Sequence, residues 1–473
     1  MYSSYSSLQQ SQLAAQGYYD TQSTYLLVYA PGRNTALRAT LADQLHRKFR
    51  LADTLGSALT EGVDGVLLVS EDVECMSTAL MCFAKALQDG ADYAVCNAVF
   101  GFGGATALYQ SRAHLAQNRC ALVSRPLLER CRAAAKDPEN VTELLALAAQ
   151  FCAHPARIPQ ALLHYERDIC AEDAFSATGK RAFLMSHVLD MTGAPIVLVS
   201  AVPVLRSMGY EVVVLGPSDG GALQLFVDAG AAVITRPGIR ATPNLWGLAL
   251  CTDLVLVNTV VMARTVRALS GTAVPVLWWL HDAFAGYPHI AHQIPTKLAG
   301  NVRLYSVGHH AANAMHAVRP DFQIGQLIYG LPDYAAEDFP RCDLGYPADK
   351  PLFATVGSFE RRKGHDIFCA AIRLLPEEVR NKATFLFVGM AADKEMMDAV
   401  RSLTTDCPEN VFYCKRLSRD EIKNLMEQCT CLVCASRDDP MPTFVTEGLI
   451  FGKPSIVSEH TGTAGVITEG VDG

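Results

Sequence analysis

From Lys180 onward, short runs of β-branched and aromatic residues alternate with helix-length segments. One block reads RAFLMSHV, EVVVLG, AAVITR, DLVLVN, VPVLWWL and VRLYSVG; a second reads LFATVG, TFLFVG, VFYC, CLVCAS and SIVS. Strands so continuously apolar are buried on both faces, the condition of a parallel sheet with helices packed above and below it. Two doubly wound domains are expected, over 180–335 and 336–473, with a boundary near LIYGLPDYAAEDFP (327–340). Ligands of such folds lie beyond the C-terminal ends of the strands, so a cleft between the two domains is the expected site.

The region 25–168 follows a different pattern. YLLVYAP, DGVLLVSED and ADYAVCNAVFG are strand candidates, and ARIPQALLHYERD closes the region. A further α/β domain is expected there. Residues 1–24, rich in Ser, Gln and Tyr, lack the basic start and apolar centre of a signal peptide and are expected to form a disordered leader.

Composition narrows the functional classes. Half of the 473 residues are apolar, yet no apolar run reaches the ~18 residues needed to span a bilayer, so no transmembrane segment is expected. A net charge of −8, with no basic patch, argues against a nucleic-acid partner. Fifteen cysteines, odd in number and scattered through predicted strands and helices, point to reduced thiols and a cytoplasmic protein. Cys429, Cys431 and Cys434 share one apolar strand and are read as buried thiols rather than zinc ligands.

Four segments carry candidate chemistry, all placed after strands. In SRDDPMPTFVTEGLIFGKPSIVS, Asp439 and Glu447 lie eight positions apart, Asp439 in a loop after the strand 429–436 and Glu447 in a helix over 442–451 with Pro442 in its first turn. Carboxylates at a strand's C-terminal end suit a ligand rich in hydroxyls, since each accepts two hydrogen bonds from a vicinal diol; solvated acids on a capped surface helix are the alternative. In LFATVGSFERRKGHDIFCAAIRLL (352–375) a strand leads to a loop with Gly357, Ser358, Arg361, Arg362, Lys363 and Gly364. That loop suits a diphosphate, or is a solvated basic turn. Thr192-Gly193-Ala194-Pro195 joins a strand to a helix, where Gly193 permits close backbone approach and the helix N-terminus favours an anion; a purely steric need for glycine is equally open. VPVLWWLHDAFAGY (274–287) ends a strand on His281-Asp282, and His309 and His310 after a later strand are read as surface or supporting residues.

Taken together, these segments resemble retaining glycosyltransferases of the GT-B fold, glycosyltransferase family 4, over about 180–473. The resemblance implies two Rossmann-like domains and a nucleotide-diphosphate sugar as donor. It implies that Lys363, with Arg362 or Arg361, holds the diphosphate, that Glu447 holds the ribose and Asp439 the hexose, and that His281 lies near the reacting carbon. Gly193 and Ser358 complete the donor-binding set. No metal is implied in this site, because fixed cations neutralise the leaving diphosphate. The chain departs from the family pattern at Asp439, where Glu is commoner, at Ser358, where Arg is usual, and at Tyr329-Gly330, where Asn-Gly is frequent. It also ends at EGVDG, where such enzymes usually continue, so the last domain is expected to be truncated.

The region 25–168 resembles a shortened GT-A domain of family 2, most closely at Arg157-Ile158-Pro159 and Leu163-His164-Tyr165. Where that family keeps two Asp residues flanking one position, this chain has Ser70, Glu71 and Asp72, and at the place of the acidic catalytic pair it has Asn140-Val141. A domain so altered is expected to be inactive, and an unrelated α/β domain is the alternative reading.

The function expected is transfer of a sugar from a nucleotide-diphosphate donor to a glycan or lipid-linked hydroxyl acceptor, as in polysaccharide biosynthesis. A non-catalytic nucleotide-sugar or glycan-binding subunit is the alternative, and a GT-B epimerase ranks third because no acid/base carboxylates can be assigned to it.

Overall fold

A computed structural model of the chain describes residues 18–473, except 33, 57, 60, 61, 102–105, 111–118, 176–178, 219, 240–246, 348 and 472. The chain divides into two compact units, Met1–Asp190 with Val202–Val255, and Met191–Ala201 with Leu256–Gly473.

The first unit contains β1 (Leu26–Tyr29), β2 (Phe49–Ala52), β3 (Gly65–Val69), β4 (Glu74–Cys75), β5 (Tyr93–Gly101), β6 (Thr106–Gln110), β7 (Cys120–Ser124) and β8 (Pro155–Asp168). It continues with β9 (Lys180–Met185), β10 (Tyr210–Gly216) and β11 (Ala232–Thr235). Strands β9, β10 and β11 are parallel, as their apolar runs predicted. Strand β11 then pairs antiparallel with β6, so one sheet continues through β5, β7, β3 and β1 to β2. Leu27, Tyr29, Val66, Leu68, Tyr93 and Val95 project from its strands into a core closed by Leu127 and Leu128 of the helix Arg125–Ala134 and Leu144 and Leu145 of the helix Val141–Phe151.

Local structure accounts for the altered motif residues of this unit. Asp72 accepts the backbone N–H groups of Ala36 and Leu37, both at 3.1 Å, and the Thr35 hydroxyl at 3.2 Å, so it caps the helix Thr35–Leu41 from a distance in sequence. Burial pushes its carboxyl up, but these hydrogen bonds outweigh that and hold it below the usual range. Glu71 receives Arg167 at 2.6 Å, and the same guanidinium grips buried Asp173 at 2.6 and 2.9 Å. Asn140 caps the helix Val141–Phe151 by accepting the Glu143 N–H.

The reading of residues 1–24 as a disordered leader needs correction at its C-terminal end. Residues 1–17 lie outside the described residues, but Tyr18–Ser23 forms a 3₁₀ turn in which Thr21 is fully buried. The Gln22 amide donates to the Leu45 carbonyl at 3.2 Å, and the Lys48 ammonium donates to the Ser23 carbonyl at 2.5 Å. Polar composition predicted disorder here because it is blind to partners supplied from residues 45–48.

Strand β12 (Leu254–Asn258) falls where the units divide, and the second unit continues with β13 (Val276–Leu280), β14 (Val302–Ser306) and β15 (Ile324–Gln326). Strands β13, β14 and β15 are parallel. A separate five-stranded parallel sheet follows: β16 (Leu352–Val356), β17 (Thr384–Val388), β18 (Val411–Cys414), β19 (Cys431–Cys434) and β20 (Ser455–Val457), in the spatial order β18-β17-β16-β19-β20. Its side chains alternate between two cores. Phe385 and Phe387 face Phe368, Ile372, Met396 and Val400 on one side, while Leu352, Ala354, Leu386 and Val388 face Leu425, Met426 and Val445 on the other. Burial on both faces explains the unbroken apolar runs of the sequence. The chain winds outward from β16 through β17 to β18, then returns to place β19 on the opposite side of β16. That reversal makes the gap between the ends of β16 and β19 the topological switch point of the sheet. Among the described residues no helix is long and apolar enough to cross a membrane.

Candidate active site

The loop after β16 and the loop after β19 meet at the switch point. After β16 the chain turns through Gly357 to the 3₁₀ turn Arg361–Lys363, and Gly364 then starts the helix His365–Leu374. Gly364 has φ +69°, and a Cβ there would lie 1.9 Å from the Ala435 carbonyl oxygen. Only glycine lets the cationic loop press against the residue that follows β19. On the other side the Arg437 guanidinium clamps Asp366 at 2.7 and 2.8 Å, and its backbone N–H donates to the Arg362 carbonyl at 2.7 Å.

This docking brings the Lys363 ammonium to 2.5 Å from Asp439 Oδ2, with the two side chains only 17% and 5% exposed. Asp439 is fixed in turn, because its N–H donates to the His460 carbonyl and its carbonyl accepts the Gly462 N–H. The predicted neighbours of Lys363 are also engaged. Arg362 Nε lies 2.7 Å from Glu360, and the Ser358 hydroxyl is hydrogen-bonded to the same carboxylate. Burial pushes the Glu360 carboxyl up, but the Ser358 hydroxyl and the Arg362 charge bring it below the usual range.

Glu447 is the fifth residue of the helix Thr443–Ile450, for which Pro442 is the N-cap. Its Oε1 accepts from Arg419 at 2.6 Å, and the Arg419 guanidinium also stacks 4.4 Å over the Tyr334 ring. Sequence reading missed Arg419. Its placement follows from Ser418 and Glu421, which form a reciprocal capping box and fix the start of the helix Arg419–Gln428 beyond the end of β18. That S-x-x-E signature was available as a helix-start signal. Tyr329, a departure from the expected Asn, donates its hydroxyl to the Met441 carbonyl at 3.2 Å and lies 3.3 Å from the Thr446 hydroxyl, steadying the start of the Glu447 helix.

Gly193 is the first residue of the helix Gly193–Ser207. A Cβ there would meet the Thr443 Cγ2 at 3.7 Å, an ordinary contact, so the surrounding protein does not require glycine at this place. His281 follows β13 with its ring edge-on to Trp279, the centroids 4.6 Å apart. Its neighbour Asp282 accepts the Val260 N–H at 2.6 Å, and burial pushes the Asp282 carboxyl up to about 6. His309 is exposed, as expected. His310, read as a surface or supporting residue, turns inward: its Nε2 lies 2.7 Å from Asp438 Oδ1, with both side chains largely buried.

Cys431 and Cys434 lie in β19, with Cys429 just before it; all are buried, and burial raises each thiol. Among the described residues no group of His, Cys, Asp or Glu is arranged to hold a metal ion.

Two family matches accompany this architecture. Residues 178–313 match the family described as glycosyl-transferase family 4, and residues 338–473 match glycosyl transferases group 1. Granule-bound starch synthase 1 of Triticum aestivum is 26% identical over 135 residues, a stretch covering 28% of this chain and 22% of that protein. The chain therefore matches about a fifth of the length of that relative. Among solved structures, Anabaena HepE in complex with UDP and glucose is 18% identical, with a TM-score of 0.49, over 62% of this chain and 84% of that one. Sucrose-phosphate synthase from Thermosynechococcus elongatus is 15% identical, with a TM-score of 0.45, over 61% and 84%. The chain thus carries a glycosyl-transferase family 4 domain followed by a glycosyl transferases group 1 domain.

Proposed function

We propose that residues 178–473 transfer a sugar, with retention of anomeric configuration, from a nucleotide-diphosphate donor to a hydroxyl of a glycan or lipid-linked acceptor. The observation that carries this reading is the Lys363–Asp439 pair at the β16/β19 switch point. A cation and a carboxylate side by side suit a diphosphate joined to a polyhydroxylated sugar. The matches to two glycosyltransferase families and to a starch synthase support it.

In this reading Lys363 leaves Asp439 for the diphosphate and stabilises the charge that develops as the glycosidic bond breaks. Arg362 adds to that charge, and the helix beginning at Gly193 contributes backbone N–H groups. Asp439 then turns to the sugar hydroxyls, Glu447 holds the ribose and His281 lies beside the reacting carbon. The leaving phosphate oxygen takes the proton of the attacking hydroxyl on the same face, so no separate protein base is assigned. The fixed cations meet the diphosphate charge, and no metal is assigned to the site.

Two further assignments belong to the same reading. The N-terminal region acts as a degenerate GT-A-like domain without its own transfer chemistry, supported by the commitment of Glu71 to Arg167 and of Asp72 to a helix end. The cysteines, all free, support a reducing compartment such as the cytoplasm. A second reading, a donor-binding subunit without turnover, draws support from Ser358, which stands where an arginine is usual and is tied to Glu360. Sugar release from a panel of UDP-, GDP- and ADP-sugars separates the two. Release from at least one donor is expected, and donor binding with no release across the panel would move the assignment to the subunit.

A further inference from the structure

Asp438 stands between the two motif-bearing loops. Its backbone carbonyl accepts from Arg362 Nη1 at 3.4 Å, and its N–H donates to the Arg362 carbonyl at 3.3 Å, so its main chain belongs to the cationic loop. Its side chain faces the other way. Oδ2 accepts the Ala285 N–H at 2.9 Å, and Oδ1 accepts the Phe284 N–H at 3.2 Å and meets His310 Nε2 at 2.7 Å. The Phe284 ring packs edge-on against the His310 ring, with centroids 5.1 Å apart, closing the cluster.

We propose that Asp438 is a positioning residue, a carboxylate clasp that holds the loop after His281 in register with the Lys363–Asp439 pair. The chemistry of the cluster supports a fixed geometry. A carboxylate that accepts hydrogen bonds from two consecutive backbone N–H groups is oriented in two directions at once, and the His310 contact fixes the remaining rotation. Burial pushes the carboxyl up, but these donors outweigh it, as expected for a group held in its charged form. The backbone on either side is directly coupled to the chemistry: Phe284 lies three residues after His281, and Asp439, the partner of Lys363, is the next residue after Asp438. A shift of this joint displaces the histidine loop relative to the phosphate-binding cation without touching either side chain. Misplacement of reacting groups by about 1 Å costs on the order of 10²-fold in rate.

The turnover arm of the test rests on the glycosyltransferase reading above, whereas the amide-exchange arm does not. Hydrogen exchange on the full chain reads the Phe284 and Ala285 amides directly, and both are expected to exchange at least about tenfold faster in Asp438→Ala than in the wild type. Steady-state kinetics with the preferred donor are expected to show kcat lowered by about 10- to 100-fold while donor KM stays within about twofold, the split expected of lost alignment rather than lost binding. His310→Ala, which leaves both backbone donors in place, is expected to lower kcat by a smaller factor. The double replacement is expected to be no slower than Asp438→Ala, because both changes act on one joint. If Asp438→Ala fails to fold, the His310→Ala kinetics decide alone. Unchanged exchange at both amides overturns the clasp, and so does an unchanged kcat, a loss confined to KM, or single effects that multiply in the double variant. Absence of transfer by the wild type would overturn the functional reading while leaving the exchange result to decide the clasp.

Discussion

Lys363 and Asp439 form a buried ion pair, the ammonium 2.5 Å from the carboxylate, across the point where the last sheet reverses its strand order. Under the proposed function a diphosphate takes the ammonium from a partner that already satisfies it. Asp439→Asn removes the competing charge while keeping shape and hydrogen-bonding capacity. The expected outcome is tighter binding of a nucleoside diphosphate by about 3- to 10-fold, together with a fall in sugar transfer, because the sugar loses its carboxylate partner. Calorimetric titration with UDP, GDP and ADP checks the first half. Weaker binding would mean that Asp439 serves mainly to hold Lys363 in place.

Arg419 should act through Glu447. It meets that carboxylate at 2.6 Å while its guanidinium lies over Tyr334. In Arg419→Ala the carboxylate is free to rotate away from a ribose diol. Donor KM is expected to rise by about 3- to 10-fold with kcat little changed, the pattern of an interaction made equally in ground and transition states. A fall in kcat at constant KM would place Arg419 at the reacting bond instead.

Two glycines give opposite predictions. At Gly364 a side chain would collide with the Ala435 carbonyl and must adopt a left-handed backbone, so Gly364→Ala is expected to destabilise the fold by roughly 2 kcal/mol or more. At Gly193 an added Cβ meets only an ordinary contact with Thr443, so Gly193→Ala should leave thermal stability nearly unchanged. Under the proposed function donor KM should nonetheless rise, since that reading puts the ligand's phosphate at this helix start. Melting temperatures with donor kinetics check both, and an unchanged KM in Gly193→Ala removes this helix from the site.

His365 predicts an acid-sensitive step. It is buried beside Lys363, and neither ring nitrogen has a hydrogen-bond partner among the described residues. Burial first, and the Lys363 charge second, push the imidazole down to about 4 from 6.5. Between those values the unfolded chain binds the proton more readily than the folded one. The stabilisation from a neutral His365 is therefore complete above pH 6.5 and is lost as pH falls through 4. The shift corresponds to at most about 3 kcal/mol. Denaturant titrations should show a shallower dependence of stability on pH in this window for His365→Phe than for the wild type, whatever the replacement costs in packing. Equal slopes would show that the imidazole finds a partner when it is charged.

The contrast between local and distant signals explains what the sequence disclosed. Strands β16 and β19, the helix bearing Glu447 and the cationic loop were all legible, because continuous apolar runs, Pro442 and paired glycines are local statements about backbone. Lys363 and Asp439 could be nominated separately, but their meeting depends on strand order and on the close approach at Gly364. The contact of His310 with Asp438 was not legible, because the two lie 128 positions apart and no periodicity encodes it. Strand β15 escaped notice for the opposite reason: Ile324–Gln326 is short and mostly exposed, leaving no apolar run to read. The commitment of Asp72 to the start of a helix was not legible either, because the amides it accepts, those of Ala36 and Leu37, lie 36 and 35 positions away.

The most direct test of the account is donor turnover by the wild type and Lys363→Ala across UDP-, GDP- and ADP-sugars, each with and without EDTA. The account predicts turnover of one donor that resists EDTA and falls on the order of 10²–10³-fold in the variant, the cost of losing one donor to the transition state. EDTA-sensitive turnover that persists in Lys363→Ala would contradict it and move the chemistry to the N-terminal region.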